Sequence, residues 1–330
     1  MRGVRMIRPQ ELARDIVVID GMSCAGKSFV APLLSSLDRG ELWTINHLYE
    51  YLCTMYHYGR MSLDAASTLV QLYADLDLYN LRVGRNTNFR RSDISSAHFN
   101  LQGTRYHART RLKDGDGIVR EIFRARPILF LMTHYIFGQS DLLFKAFGSR
   151  LKFYLIVVRH PLDLLESWYK GNWDCRVGSD PREFQLCCAV KGQKAPWFAT
   201  PWLRQYRRLN RLEKSVATVV WFQKEFKRQW KRLSPEERRK VIFLPFEKVA
   251  PDPVTALCGI AKKLGAKITP LTGRVMKKFC MPRNLDPEHI SLQYRKFSNA
   301  FKLRGVRRGI ADEFWKTCEH YEITHIQESR

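Results

Sequence analysis

The sequence lacks the features of a membrane or secreted protein. None of its 330 residues belongs to an apolar run that approaches the roughly 18 residues needed to cross a bilayer. The first fifteen residues, MRGVRMIRPQELARD, contain no apolar signal-peptide segment. The eight cysteines form no CxxC pair and follow no regular spacing, so reduced thiols are the simplest interpretation. We therefore expect a soluble, cytoplasmic protein without a membrane span.

Acidic residues are scarce relative to basic ones. The chain has 32 Asp and Glu against 56 Lys and Arg, a formal net charge of +24. Such a positive field attracts polyanions, whether nucleic acid, an anionic membrane surface, or a phosphorylated or sulfated small molecule. The apolar share of 45% and the charged share of 27% are ordinary for a globular protein and exclude a disordered or collagen-like chain. We treat residues 1–330 as a single domain.

Short apolar runs alternate with helical patterns along most of the chain. Strands are predicted at residues 15–20, 42–45, 128–132, 153–158 and 241–245. Helices are predicted at residues 47–83, 141–147, 161–169, 254–264 and 310–321. Strands that alternate with helices indicate a parallel sheet covered on both faces.

One loop in this pattern carries a phosphate-binding motif. Residues 21–28 read GMSCAGKS and match the Walker-A-like pattern G-x-x-x-x-G-K-S/T completely, between an apolar strand and a helix. The glycines let backbone amides converge on an anion, the helix N-terminus adds its dipole, and Lys27 adds a point charge. The residues expected to bind phosphate are Gly21, Ser23, Cys24, Ala25, Gly26, Lys27 and Ser28. The sequence thus predicts an α/β fold, a three-layer doubly wound parallel sheet of the P-loop type with helical and loop insertions.

No later strand ends in the aspartate with which ATP and GTP hydrolases hold Mg²⁺. The strand at 128–132 runs into Thr133 and His134, and the strand at 153–158 runs into Arg159. This absence argues against the interpretation of the chain as a Mg²⁺-dependent nucleotidase. An ATP-dependent P-loop kinase of a small molecule stays open as an alternative because the loop fits it well. A basic nucleic-acid-binding protein is a weaker alternative, since the chain has no recognised base-reading motif.

Two basic stretches stand apart from the alternating pattern. Residues 84–117 show no periodicity and are expected to form a lid or an acceptor-binding loop. Residues 197–233 form a basic helical region. The charged residues of the first stretch that could contact an acceptor are Arg85, Arg90, Arg91, Asp93, Arg105, Arg109 and Arg111.

The segment that follows the strand at 153–158 resembles a known signature. Residues 153–171, FYLIVVRHPLDLLESWYKG, are similar to the second signature of PAPS-dependent sulfotransferases, an apolar strand, R-x-P-x-D, and a serine eight residues after the arginine. Arg159 and Ser167 hold that spacing. The resemblance implies the P-loop sulfotransferase fold. It also implies that this pair binds the 3′-phosphate of 3′-phosphoadenosine 5′-phosphosulfate (PAPS).

Three other stretches resemble the family in the same order. Residues 129–137 are similar to its strand ending in Thr-His, which implies that His134 is the catalytic base. Residues 242–265 resemble its strand, Asp-Pro and helix block. Residues 304–309, RGVRRG, resemble the basic loop that closes over the 3′-phosphate, which adds Arg307, Arg308 and Gly309 to the donor site.

The sequence also departs from the family at three positions. Cys24 and Met132 stand where lysines are usual, and Phe246 stands where a tyrosine is common. We therefore assign the role of the catalytic lysine to Lys27 because of its position in the phosphate-binding motif, and not because it aligns with the family's lysine.

The resemblance implies a sulfotransferase that moves a sulfuryl group from PAPS to a hydroxyl or amine and releases 3′-phosphoadenosine 5′-phosphate (PAP). His134 would take the acceptor proton, with His47 as the reserve base, while Lys27 and the loop amides would neutralise the leaving phosphate. No metal is required by this chemistry. The acceptor is expected to be an anionic small molecule or glycan, a carbohydrate among the candidates, and nucleic acid is not expected. The sequence leaves the oligomeric state open.

Overall fold

The computed structural model describes residues 3–113 and 115–326. Its strands are β1 (Asp15–Asp20), β2 (Thr44–Ile45), β3 (Ile128–Met132), β4 (Leu151–Val158), β5 (Cys187–Val190), β6 (Gln193–Pro196) and β7 (Val241–Pro245). Five of them form one sheet in the order β2-β3-β1-β4-β7, in which every pair is parallel. Strands β5 and β6 form a separate antiparallel ribbon.

The central strands are buried on both faces. Every residue of β1 and β3 is buried, and in β4 only Lys152 is partly exposed. The chain adds β2 and β3 on one side of β1, then β4 and β7 on the other. Because parallel crossovers are right-handed, this reversal places helices on both faces of the sheet. The predicted doubly wound α/β fold is confirmed.

Sixteen α-helices accompany the sheet in the described residues. They are α1 (Lys27–Ser35), α2 (His47–His57), α3 (Leu63–Val83), α4 (Gly103–Arg109), α5 (Asp116–Ala125), α6 (Asp141–Phe147), α7 (Pro161–Lys170), α8 (Trp173–Arg176), α9 (Leu203–Tyr206), α10 (Arg211–Arg232), α11 (Pro235–Lys240), α12 (Phe246–Val249), α13 (Pro253–Leu264), α14 (Pro270–Lys278), α15 (His289–Leu303) and α16 (Arg308–Tyr321). No described helix is both long and apolar enough to cross a membrane.

The basic region 197–233 is mainly the long helix α10. A capping box starts this helix, because the side chain of Asn210 accepts from the backbone of Glu213 and the Glu213 carboxylate accepts from the backbone of Asn210. The inner face of α10 buries Val219, Phe222 and Phe226, and its outer face carries exposed lysine and arginine side chains. Apolar burial on one face thus explains why so basic a segment forms a stable helix.

The segment 84–117 contains α4 and the first residues of α5, and two of its arginines enter the protein interior. The carboxylate of Glu41, which is fully buried, accepts from Arg82 at 2.7 Å and from Arg105 and Arg109 at 3.0 Å. Burial raises the pKa of Glu41, but the arginines outweigh this effect and bring the pKa to about 2. Arg105 and Arg109 therefore anchor the segment to the start of the sheet, and the acceptor-binding role predicted for the segment rests on its other charged residues.

We expect the replacement Glu41→Gln to lower the free energy of unfolding by about 3–5 kcal/mol, because three arginines lose their buried counter-ion. Chemical denaturation at pH 7 measures this loss. The stabilisation by Glu41 should be present above its ordinary pKa of 4.5 and should disappear as the pH falls towards about 2, since the folded protein holds the pKa down.

The matched control is Glu313→Gln, which breaks an ion pair with Lys224 whose side chains are 56% and 49% exposed. This variant should lose no more than about 1 kcal/mol. Equal losses in the two variants would show that the buried cluster contributes nothing beyond an ordinary surface pair.

Candidate active site

The candidate site lies at the carboxyl edge of the parallel sheet. Residues that follow four different strands meet there: the phosphate loop (residues 21–28) after β1, His47 after β2, His134 after β3 and Arg159 after β4. In doubly wound sheets ligands bind in the crevice outside the carboxyl ends of the strands, at the point where the strand order reverses, which is β1 in this sheet. The topology thus brings together residues that lie far apart in the sequence.

The phosphate loop has the backbone conformation that its glycines allow. Gly21 and Gly26 have φ values of 141° and 108°, and Cys24 has φ of 69°. A Cβ atom at Gly21 would lie 2.2 Å from the carbonyl oxygen of Val157, and one at Gly26 would lie 2.4 Å from the Phe246 ring. Both glycines are therefore needed for close packing as well as for backbone freedom.

Lys27 turns back onto the loop that it terminates. Its ammonium group donates to the carbonyl oxygens of Gly21 at 2.7 Å and Met22 at 2.9 Å, and the side chain is buried. Burial lowers the pKa of Lys27 to about 8, although Asp20 and Glu50 favour the charged form. The remaining loop residues differ in exposure: Ser23 and Ala25 are buried, while Cys24 and Ser28 are exposed.

Asp20 directly precedes the loop and is the only aspartate that ends a strand among the residues that the structure describes. It is fully buried, accepts from the Tyr154 hydroxyl at 3.0 Å and from the backbone of Ile136 at 3.3 Å. Burial raises its pKa. Its carboxylate is committed to the interior between β1 and β4.

His134 is held beside the phosphate loop by its two neighbours. The backbone N–H of Thr133 donates to Ile19 at 2.9 Å, and that of Tyr135 donates to the carbonyl of Gly21 at 3.0 Å. These bonds extend the β1–β3 pairing past the end of β3. The position of His134 relative to the loop is therefore set by backbone hydrogen bonds.

Glu50 on α2 joins the two candidate bases into one cluster. One carboxylate oxygen contacts Nδ1 of His134 at 2.9 Å and also accepts from its backbone N–H at 3.0 Å. The other oxygen contacts Nδ1 of His47 at 3.3 Å and accepts from Gln185 at 3.0 Å. The two imidazole rings stack with centroids 5.6 Å apart. The reserve base and the preferred base are thus neighbours.

The charge state of Glu50 follows from these contacts. Burial raises its pKa, but the bonds with His134 and His47 outweigh burial and bring the pKa to about 2. The carboxylate also raises the pKa of His47. The ligand atoms of His47, Glu50 and His134 lie within 4.8 Å of one another, a spacing that a divalent cation could bridge. Glu50 was not among the residues predicted from the sequence, although its position three residues after His47 on one helix face was a usable signal.

Arg159 forms the opposite rim of the loop. It donates to the carbonyl of Cys24 at 3.1 Å and to Asp163 at 3.2 Å, and its guanidinium lies 4.8 Å from the centre of the Phe246 ring. The second oxygen of Asp163 contacts His289 at 2.6 Å. The R-x-P-x-D motif therefore orients its own arginine towards the loop, with Asp163 as the anchor.

The other residues predicted for the 3′-phosphate lie further along the chain. Ser167 is half-buried on α7. Arg307 is engaged by both oxygens of Glu213, at 2.8 Å and 2.9 Å. Arg308 is 95% exposed with Asp312 at 3.7 Å, and Gly309 follows it in the first turn of α16. The structure thus joins Arg159 to the loop directly, whereas the guanidinium of Arg307 already has a carboxylate partner.

Comparison with known proteins gives weak similarities. No protein-family model matches the chain and no curated protein matches it. Among solved structures the chain is similar to the sulfotransferase domain from the curacin biosynthetic pathway, with 14% identity over 82% of this chain and 78% of that one, at a TM-score of 0.41. It is also similar to the sulfotransferase domain from the Synechococcus PCC 7002 olefin synthase (12% identity, 96% and 98% covered, TM-score 0.39). A third is sulfotransferase STF9 from Mycobacterium avium (13% identity, 88% and 78% covered, TM-score 0.38). Scores of this size do not assign the chain to a family.

The packing at Gly21 generates a prediction. Gly21→Ala should lower the free energy of unfolding by more than about 2 kcal/mol, because the new methyl group meets a strand carbonyl and the backbone lies at positive φ. The same replacement at Gly259 is the control, since a Cβ there meets nothing and the residue lies inside the exposed part of α13. Gly259→Ala should stabilise the protein by about 0.5–1 kcal/mol. Thermal or chemical denaturation checks both, and a neutral Gly21→Ala would contradict the loop geometry.

Proposed function

We propose that the chain is a sulfotransferase that moves a sulfuryl group from PAPS to a hydroxyl or amine of an acceptor and releases PAP. The observation that carries this proposal is the position of His134, fixed beside a phosphate loop by the bond from Tyr135 to Gly21 and oriented by Glu50. A phosphate cradle and an oriented base at one sheet edge are what transfer from a phosphate–sulfate anhydride to a hydroxyl needs.

The contact with Glu50 determines which nitrogen of His134 acts. Because the carboxylate is ionised and can only accept, the Nδ1 atom of His134 carries the proton of their hydrogen bond. In the neutral ring the lone pair then lies on Nε2. This atom accepts the acceptor's proton while the acceptor oxygen bonds to sulfur and the bond from sulfur to the 5′-phosphate oxygen breaks. Glu50 acts as a positioning residue that also stabilises the imidazolium.

The phosphate loop and Lys27 would bind the 5′-phosphate and neutralise the charge that it gains. The loop leads directly into the start of α1, where the helix dipole favours an anion. With a pKa of about 8 the ammonium group of Lys27 is mostly protonated at pH 7. To act on the leaving oxygen, Lys27 has to exchange the carbonyls of Gly21 and Met22 for the phosphate.

Arg159 supports PAPS over ATP as the donor. Its guanidinium borders the phosphate loop and the Phe246 ring, and only a 3′-phosphorylated nucleotide offers it a second phosphate outside the loop. The main alternative, an ATP-dependent kinase, is favoured by the complete phosphate-loop pattern and by the exposed Ser28 in the first turn of α1.

The donor proposal predicts a selective defect in the variant Arg159→Ala. This variant should bind PAP about 10- to 100-fold more weakly, because it loses a charge-assisted bond to the 3′-phosphate, while its affinity for adenosine 5′-phosphate should change little. Calorimetry and thermal shift with PAP, PAPS, ATP and GTP, each with and without Mg²⁺, measure the affinities. The wild-type protein should prefer PAP and PAPS, without a need for Mg²⁺.

The control for lost positive charge is Arg182→Ala, which removes an exposed arginine paired with Asp180. Its affinity for PAP should equal that of the wild type. Equal losses for PAP and adenosine 5′-phosphate in Arg159→Ala would mean that the arginine only supports the loop. Stabilisation by Mg²⁺ and ATP but not by PAP would select the kinase.

The base proposal predicts the behaviour of His134 and Glu50 together. His134→Ala should lower kcat by about 10²- to 10⁴-fold and leave the affinity for PAP nearly intact. The wild-type rate should rise with pH through one ionisation. Glu50→Gln should lower kcat, because His134 loses the carboxylate that orients its ring and stabilises the imidazolium, and Glu50→Asp should restore part of the rate.

Activity should persist after treatment with EDTA, because the proposed step uses the lone pair of His134. Normal activity of His134→Ala would transfer the assignment to His47. A loss of PAP binding in His134→Ala would point to a structural role for the histidine. An unchanged kcat in Glu50→Gln would refute the positioning role of Glu50.

A further inference from the structure

A two-stranded ribbon projects from the α/β domain next to the candidate site. Strands β5 and β6 pair from Cys187 with Pro196 to Val190 with Gln193, and they belong to no larger sheet. The turn is formed by Lys191 and Gly192, both at positive φ, the geometry that suits a two-residue hairpin. We call residues 187–196 the ribbon. Most of it is exposed, and isolated ribbons are marginally stable, so contacts at its base have to hold it.

Residues at the base of the ribbon contact the cluster of His47, Glu50 and His134. Gln185, two residues before β5, donates to Glu50 at 3.0 Å, and the hydroxyl of Tyr51 donates to the carbonyl of Phe184. The ring of Phe184 is 62% exposed and its centre lies 6.4 Å from that of His47. An acceptor that approaches His134 therefore meets an exposed aromatic ring at the start of the ribbon.

The tip of the ribbon borders one cavity, and a second cavity adjoins the first through shared lining residues. One has a volume of about 550 Å³ and is lined by the tip together with Leu203, Arg204, Arg207 and Arg208. The other, of about 480 Å³, shares Leu203, Arg204 and Arg208 and extends to Trp202 and Arg307. A four-residue strand spans about 13 Å, so the cavities lie roughly that far from the ribbon's base.

The charge around these cavities is positive and largely uncompensated. Their lining contains Lys191, Arg204, Arg207, Arg208 and Arg307 and no acidic residue. Among the described residues only Arg307 of these five has a carboxylate within 4 Å, namely Glu213. The arginines around Glu41, by contrast, are neutralised within the fold. Arginine forks without carboxylate partners are suited to bind sulfate or carboxylate groups of a ligand.

We propose that the ribbon and its two cavities bind an acidic glycan, a sugar chain bearing sulfate or carboxylate groups. The hydroxyl or amine to be modified would lie at His134, its sugar would pack against Phe184, and anionic groups further along the chain would bind Arg204, Arg207 and Arg208. This inference rests on the proposed function because it names the acceptor class of that site. The distance along the ribbon requires an acceptor of several units.

The side chains along this path favour a glycan over single-stranded nucleic acid. Proteins that bind single strands combine cations with successive aromatic platforms for base stacking. From Cys187 to Lys194 the exposed face of the ribbon carries no aromatic residue. Phe184 at the base and the half-buried Trp202 at the far cavity lie at opposite ends. The path thus supplies cations without a run of stacking surfaces.

The test compares binding of a sulfated oligosaccharide of defined length with binding of a neutral one of equal length, at fixed salt near 0.15 M and with PAP present. The wild-type protein should bind the sulfated chain. The triple variant R204A/R207A/R208A should bind it about tenfold more weakly or worse, as expected for three lost surface ion contacts. In turnover with PAPS this variant should raise KM for the sulfated acceptor and keep kcat, because its residues act in binding only.

The control variant K262A/K263A/R274A removes the same charge from α13 and α14. Helix α14 packs at the end of α1 opposite the phosphate loop, through the bond between Ser36 and Thr272. The control should bind the sulfated chain like the wild type. Equal weakening in both triple variants would show that only the net charge attracts the chain and would overturn the proposal.

Three further outcomes test the ligand class and separate this inference from the proposed function. Tighter binding of a single-stranded oligonucleotide of equal charge, lost in the ribbon variant, would overturn the glycan and assign the surface to nucleic acid. A protein that binds PAP but no sulfated oligosaccharide would refute the acceptor class alone. A protein that binds the sulfated chain but neither PAP nor PAPS would refute the sulfotransferase function.

Discussion

The candidate site depends on one carbonyl oxygen, that of Gly21. It accepts from the ammonium group of Lys27 and from the backbone of Tyr135, and the residue's missing side chain lets Val157 approach from β4. Three neighbouring parallel strands are thus tied together at the point where each of them ends. The phosphate loop cannot move away from His134 without breaking this junction. Because the base is attached to the loop through backbone bonds, the two parts of the proposed chemistry have a fixed separation.

The parts of the fold that could be predicted are those with a strong local signal. Strands β1, β3 and β7 and helix α6 begin and end where the sequence predicts. For β1 and β3 the reason is that a strand buried on both faces appears as an uninterrupted apolar run. The second strand is shorter than the predicted 42–45. There the N–H groups of Leu42 and Trp43 donate to Tyr106 and Ser35 in place of a neighbouring strand. Such side-chain partners come from other parts of the chain and leave no local pattern.

The parts that could not be predicted depend on long-range contacts. Glu50 is one charged residue of a helix until the fold brings His134, 84 positions away, against it. The ribbon has strands of four residues and a Lys-Gly turn, a weaker hairpin signal than Asn-Gly or Asp-Gly. The motif around Arg159 predicted a residue near the phosphate loop. The engagement of Arg307 by Glu213 was not visible, because the spacing of 94 residues has no meaning before the helices pack.

The position of Lys27 has a consequence for how the loop responds to anions. In the absence of a ligand, the ammonium group of Lys27 already donates hydrogen bonds to two carbonyl oxygens of the loop. An anion that binds Lys27 replaces these two hydrogen bonds, so its binding free energy is only the difference between the new bonds and the old ones. A monovalent anion of weak basicity therefore gains little binding free energy. In the proposed function, a phosphate that reaches the loop amides at the same time would gain enough to draw the lysine outwards. Lys27 would then select for the charge density of the ligand before any part of the nucleoside is recognised.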